Sequence, residues 1–450
     1  MAAYLSRTPA SSGSQRIFTY SAWVKKCDFS SGVLLSSGES DGDPNFAIYF
    51  DSSSRLNILF YSGASTVLQY ITNRVFRDVS AWYNIVVAVD TTQATASNRV
   101  RLYVNGTEET SFSTETDPSQ NTDISINTSS YRIAVGAGVD NGDTFEGVLA
   151  HVHFIDGTAY SSSTFGETDA TTGIWKPKTA PSVTYGSNGV FLKFENSAAF
   201  GTDSSGNGNT FTVNGTMTQT IDTPSNVFAT MNPLGKSPTG TTGLPTFSNG
   251  NNTVAMSSDT FAYSTLGVSQ GKWYFEYKQT ENTADNGGYP LVGINTTGIG
   301  TGGDTIGFRT PSGSNYRGQL GTTNVDNAFL SARVANDIFG FYIDLDNSTL
   351  IIHKNGSTYM NTGYTSGLDW SGGLTTTNTQ TGFYFPFVQS NTANAFTDHF
   401  NFGNGYFGTT AVSSGNADAN GHGIFEYSPT LSGTDYFAIC TKNINAQEYS

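Results

Sequence analysis

The sequence predicts an all-β chain: two antiparallel β-sandwich (jelly-roll) domains joined by a partly ordered connector. Three observations carry this expectation. Short apolar runs alternate with period two, Gly, Asn, Asp and Ser punctuate them, and no apolar stretch at helical spacing lasts three turns. The 450 residues include 50 glycines and 13% aromatics but only 13% charged side chains, which suits many short strands joined by tight turns. That length exceeds what one core usually covers, so more than one domain is expected.

The first domain is expected over 1–173. From Phe18 it reads FTYSAWVKK, GVLLSS, NFAIYFD, RLNILFY, WYNIVVAVD, NRVRLYVNG, YRIAVGAG and FEGVLAHVHFIDG. Within one of these runs Arg99, Arg101 and Tyr103 fall on one strand face and Val100, Leu102 and Val104 on the other, so one face is core. Between 174 and 246 the pattern weakens into Pro- and Gly-rich segments, including TDSSGNGN, with a strand-like run at Val190–Phe194. Its apolar residues are too frequent for a solvated coil, so it is read as a connector that packs in part. The strand pattern resumes in a second domain, 247–408, with KWYFEYKQTE, PLVGINTTG, DTIGFRT, FYFPFVQSN and DHFNFG. A tail, 409–450, ends in DYFAICTKN, read as a closing strand.

Charge and targeting signals narrow the partners. Lys plus Arg number 21 against 36 Asp plus Glu, a net charge of −15, and the basic residues are scattered, which disfavours nucleic acid and anionic membranes. The start MAAYLSRTPASSGSQRIFTYSAW has no basic segment followed by an apolar one, and no run of apolar residues is long enough to span a bilayer, so synthesis without a signal peptide and without membrane insertion is expected. Cys27 and Cys440 stand at opposite ends of the chain outside any metal spacing, which fits a reducing cytosol. The N-x-S/T triplets read as turn chemistry in so Asn- and Thr-rich a chain.

FTYSAWVK, WYNIVVAVD leading to RLYVNG, and FEGVLAHVHFIDGTAYS occur in the order found in laminin-G-like, concanavalin A-like jelly rolls, and residues 3–164 resemble that family. The second domain resembles a SPRY domain through GKWYFEYK, LVGI, DIFGFYIDLDNSTLIIHKNG, YFPFVQ and DHFNFG, departing from it at the Gly/Ser-rich GFRTPSGSNYRG. Both families are two-sheet sandwiches. This accounts for a sentence the chain writes twice, at 82–106 and 337–356: two alternating runs as neighbouring strands, then Asn-Gly, whose positive φ suits the turn after the second strand. As an arrangement of modules the chain resembles structural proteins of tailed bacteriophages.

Few residues carry the signature of catalysis. The nearest to a glucanase acidic strand is Glu39-Ser40-Asp41-Gly42-Asp43-Pro44, which lacks the final Glu and lies in a Gly/Pro turn, while retaining chemistry needs two carboxyls about 5 Å apart. His151 and His153 alternate along one run without a third ligand, so structural imidazoles are expected. Calcium is the cofactor the loops suit: Asp41, Asp43 and Asn45 place oxygen side chains at alternate positions, and Asp140, Asn141 and Asp143 form a second set. For ligand contact the second domain offers Tyr289, Asn315, Tyr316, Arg317, Tyr364, Trp370 and Tyr384, whose rings suit sugar C–H faces and whose amides and guanidinium suit hydroxyls; Tyr316, Arg317 and Trp370 stand in Gly/Ser-rich surroundings that predict exposure.

The resulting expectation is a non-enzymatic phage virion structural protein, on a tail fibre or as a capsid appendage. Its partners would be other virion proteins and host-surface polysaccharide or protein, and by analogy with fibres it would be a homotrimer. Two alternatives stand beside it: a purely structural capsid- or tail-decorating protein, and a glucanase-like hydrolase.

Overall fold

The computed structural model describes residues 3–39, 42–170, 173–236, 244–256, 260–280, 290–296, 304–309, 317–325, 328–329, 334–374, 380–390 and 396–449. The chain is all-β and divides into two compact units, Met1–Gln219 and Thr220–Ser450.

In the first unit an eight-stranded antiparallel sheet runs in the order Phe112–Thr116, Ser65–Val75, Arg55–Ser62, Asn45–Phe50, Gly32–Gly38, Arg132–Val135, Tyr4–Arg7, Thr212–Asn214. A six-stranded sheet runs Val190–Leu192, Gly147–Asp156, Ile17–Lys26, Tyr83–Asp90, Val100–Val104, Thr107–Glu109. Alternate residues of both sheets, among them Phe18, Tyr20, Phe46, Ile58, Val87 and Leu102, form one buried core. Val100, Leu102 and Val104 point into it as expected, and Tyr103 faces the other way. There Tyr103, Val86 and Ile155 are covered by Tyr160, Phe165, Val183 and Tyr185, so the outer face of the six-stranded sheet has a third layer.

Residues expected as a connector are divided at Gln219. Val190–Leu192 extends the six-stranded sheet and Thr212–Asn214 closes the edge of the eight-stranded one. TDSSGNGN is what lets the chain cross between them. The Asp203 carboxylate accepts the backbone N–H of Phe191, Ser205 and Asn209 at 3.0, 2.8 and 2.8 Å, and the amides of Asn207 and Asn209 both donate to the Gly189 carbonyl. A loop rich in backbone polar groups is thereby satisfied internally.

The second unit pairs a seven-stranded sheet (Met231–Lys236, Phe261–Ser264, Phe385–Gln389, Leu291–Asn295, Thr305–Arg309, Arg317–Leu320, Thr323–Val325) with a nine-stranded one built around Lys272–Gln279 and Ile338–Asp344. Its core is aromatic: Trp273, Phe275, Tyr277, Phe308, Phe339, Phe341 and Phe400 are buried together, and Phe275 stacks on Phe341 at 4.5 Å. The tail belongs to this sandwich. Phe425, Tyr436, Ala438 and Cys440, with Phe228, cover Tyr274 and Tyr342 on the outer face of the nine-stranded sheet. The closing strand is the two-residue Phe437–Ala438, parallel to Lys272–Gln279, and the chain then turns into an eight-residue helix, Thr441–Glu448. Cys27 and Cys440 are both buried.

Candidate ligand-binding face

Among the described residues nominated from sequence in the second unit, Trp370 and Tyr384 come together and Arg317 lies apart. Tyr289, Asn315 and Tyr316, with Asp41 of the first unit, lie outside the described residues. Trp370, expected at the surface, is only 6% exposed and packs in the aromatic core. Its indole N–H donates to the Tyr384 hydroxyl at 3.3 Å. Tyr364 and Tyr384 lean on the same core, whereas Arg317 lies on the opposite sheet, in register with Arg309. Burial won because Trp370 follows a short strand, Leu368–Asp369, that pairs with Thr349–Lys354 and carries it inward.

The oxygen-rich loops of the first unit serve as turns. Both carboxylate oxygens of Asp43 accept backbone N–H groups of a hairpin turn, Gly63 at 2.9 and Ala64 at 3.0 Å. Asp140 accepts its own Gly142 N–H at 2.9 Å, and Asn141 accepts from Arg132 at 2.5 Å. Asp143 meets the Ser31 hydroxyl at 3.4 Å. Among the described residues no group of three or more His, Cys, Asp or Glu side chains converges on a point that fits a metal.

His151 and His153 stay neighbours, their rings edge to face with centroids 6.4 Å apart. A bulge between Ala150 and His153 breaks the register, with His151 at φ 48°. His153 stacks on Phe191, 4.0 Å away, and its Nδ1 meets the Tyr185 hydroxyl at 2.9 Å. Burial, with a smaller effect of His151, holds its pKa down to about 3, so it is a neutral packing residue.

What the fold does assemble is the outer face of the eight-stranded sheet. Phe46, Ile48 and Phe50 point into the core, as do Leu56, Ile58, Phe60, Leu68 and Tyr70, which sends Asn45, Ala47 and Tyr49, then Asn57, Leu59 and Tyr61, then Gln69 and Ile71 outward. Register lines up one row of these across the whole sheet. Thr212, Ser6, Ala134, Ser36, Ala47, Leu59, Gln69 and Thr116 are successive cross-strand partners. The middle of the row is short side chains, and Ala134, Ser36 and Ala47 there are buried. Beside it Tyr4 and Tyr49 stand on one side and Arg132, Asn45 and Tyr61 on the other, all half-buried, and the Arg132 guanidinium lies 5.7 Å from the Tyr4 ring. Burial, with Asp51 and Asp143 nearby, raises the Tyr49 hydroxyl above its ordinary range and keeps it a neutral donor. These outward positions carry no aspartate or glutamate. Sequence reasoning missed this face, although period-two alternation in NFAIYF and RLNILFY names its residues.

A family model described as the Concanavalin A-like lectin/glucanases superfamily matches residues 3–163. No curated protein resembles the chain in sequence. Three solved structures show partial likeness. The native heptameric SAP-like pentraxin of Limulus polyphemus has 17% identity and a TM-score of 0.28, with 36% of this chain and 72% of that one covered. The SPRY domain of human HERC1 has 16% identity and a TM-score of 0.26, covering 38% and 96%. A putative carbohydrate binding protein of Bacteroides ovatus has 14% identity and a TM-score of 0.28, covering 47% and 56%. The family match covers most of the first unit's two-sheet core, which extends beyond it to Val190, Leu192, Phe200 and Phe211, and over residues 3–163 this jelly roll is similar to the concanavalin A-like class.

Proposed function

We propose that this chain is a non-enzymatic binding protein whose first unit takes a carbohydrate across the outer face of its eight-stranded sheet. One observation carries the reading: Tyr4, Tyr49 and Tyr61 stand half-exposed around a floor of small side chains, interleaved with the amides of Asn45 and Gln69. Flat rings stack on sugar C–H faces and amides bond the hydroxyls, while the outward row itself supplies no carboxyl pair for glycoside hydrolysis. The concanavalin A-like class of the unit supports the same ligand chemistry. The fuller reading places the chain on a tailed-phage particle, as a tail fibre or capsid appendage that engages host-surface glycan or protein.

The test is retention of the purified chain on a panel of bacterial surface polysaccharides, with Tyr49→Ala and Tyr61→Ala beside it. Binding that both substitutions abolish while the melting profile is kept supports the face. No retention on any glycan removes it and leaves a particle-building role. Mass spectrometry of purified virions tests the location separately, and virions lacking the chain would refute it.

A further inference from the structure

Ten Asn–Gly steps occur in the chain, and nine lie among the described residues. At such a step the glycine nitrogen, unshielded by a Cβ on its own residue, can attack the asparagine Cγ. The N–Cγ bond forms, the C–N bond of the side-chain amide breaks, and ammonia leaves. Water then opens the five-membered imide to aspartate or isoaspartate. Closure requires the side chain to swing onto the following nitrogen, so a hydrogen bond that ties the amide elsewhere slows it.

All nine amides are tied, though unequally. Asn105 accepts a strand N–H at 2.7 Å. Asn355 is held at both ends, accepting from Ile338 N–H at 2.9 Å and donating to the Asp337 carboxylate at 2.7 Å. Asn249 is exposed, and its amide rests on one neutral hydroxyl, Thr253 Oγ1, at 3.0 Å. That hydroxyl is shared, lying 2.9 Å from His399 Nδ1. Asn249 also opens three consecutive left-handed residues, with φ of 51°, 66° and 64° at Asn249, Gly250 and Asn251, a conformation that costs a non-glycine residue roughly 1 kcal/mol. Asn249 is thus exposed and held by one shared hydroxyl, whereas Asn404, whose one contact is longer at 3.4 Å, is buried.

We propose that Asn249–Gly250 is a spontaneous modification site, the first of the nine described steps to become aspartate or isoaspartate. Conversion places a new negative charge, and for isoaspartate an extra backbone methylene, in the turn joining Thr246–Ser248 to Thr253–Met256 at the edge of the nine-stranded sheet.

The experiment is peptide mapping by mass spectrometry of the full chain held in mildly alkaline buffer, native and urea-unfolded. Expected are a native rate at Asn249 severalfold above those at Asn105 and Asn355, and nearly equal rates when unfolded. Thr253→Val should speed Asn249 alone, and Asp337→Ala should raise Asn355 while leaving Asn249 in place. Conversion of Asn105 or Asn355 ahead of or level with Asn249 overturns the proposal. So does a native chain unchanged at Asn249 after the unfolded chain has fully converted.

Discussion

The side chain of Asn105 reaches back to the start of the preceding strand and accepts the backbone N–H of Asn84 at 2.7 Å, while its own N–H donates to the Asn84 carbonyl at 2.9 Å. The second unit repeats this. Asn355 accepts Ile338 N–H at 2.9 Å and donates its own N–H to the Ile338 carbonyl at 2.8 Å. Both asparagines are left-handed, with φ of 48° and 50°. The residue each hairpin needs is thus one that tolerates positive φ and carries a short acceptor, which asparagine alone combines with a neutral side chain.

Substitution separates those two roles. Asn105→Gly keeps the backbone and loses the acceptor, about 1 kcal/mol. Asn105→Ala loses both, about 2 kcal/mol in all. Urea unfolding of the first unit should rank wild type above Gly above Ala, and Asn355 should give the same order in the second. An alanine variant as stable as the glycine variant would show that φ is not the constraint.

Tyr20 is the core residue whose chemistry fits least. Its hydroxyl is fully buried, no partner among the described residues lies within hydrogen-bond distance, and burial raises its pKa far above the ordinary value. Tyr20→Phe removes an unpaired polar atom and should stabilise the first unit by about 1 kcal/mol, read as a higher urea midpoint. A lower midpoint would mean the hydroxyl is satisfied in solution.

Strand positions and core faces were legible because period two survives in nearly every run: Val100, Leu102 and Val104 were placed correctly by alternation alone. Where long-range packing decides, the sequence was silent. The Thr441–Glu448 helix has neither an apolar stripe nor a side-chain cap at Cys440, and it is held by contacts such as the Ser269 N–H to Glu448 at 2.5 Å. Trp370 looked exposed because its neighbours are Gly and Ser, yet strand pairing buries it. The bulge at His151 left no mark that alternation can read.

The oxygen loops give a direct check. With Asp43 and Asp140 already engaged by backbone N–H groups, EDTA and added calcium should leave the melting profile and any glycan retention unchanged. A calcium-dependent rise in the melting temperature would show that the loops rearrange around the ion. For the face itself, Tyr61→Ala should weaken retention about tenfold, which is about 1.4 kcal/mol.

The two units should respond to acid in opposite senses through two buried groups. In the first, burial holds His153 down to about 3. A depressed histidine contributes stability that is present above its unfolded value and lost as pH falls below it, about 2 kcal/mol between pH 6.5 and 5. In the second, burial pushes the Glu276 carboxyl up to about 7, against four donors: Tyr274 Oη at 3.0 Å, Asn401 Nδ2 at 2.9 Å, and the N–H of Glu426 and Tyr427 at 3.0 and 2.8 Å. A raised carboxyl contributes stability that is present below its unfolded value and lost as pH rises through the folded one. His353, depressed by burial, works against this in the same unit, so single substitutions are needed to isolate each group. Between pH 7.5 and 5, His153→Phe should flatten the acid-side fall of the first transition. Glu276→Gln should remove the acid-side gain of the second while lowering its midpoint at every pH by about 2 kcal/mol, because a glutamine NH2 would face two of the four donors. If the second transition of Glu276→Gln tracks wild type across that range, the carboxyl stays ionised throughout and the four donors outweigh its burial.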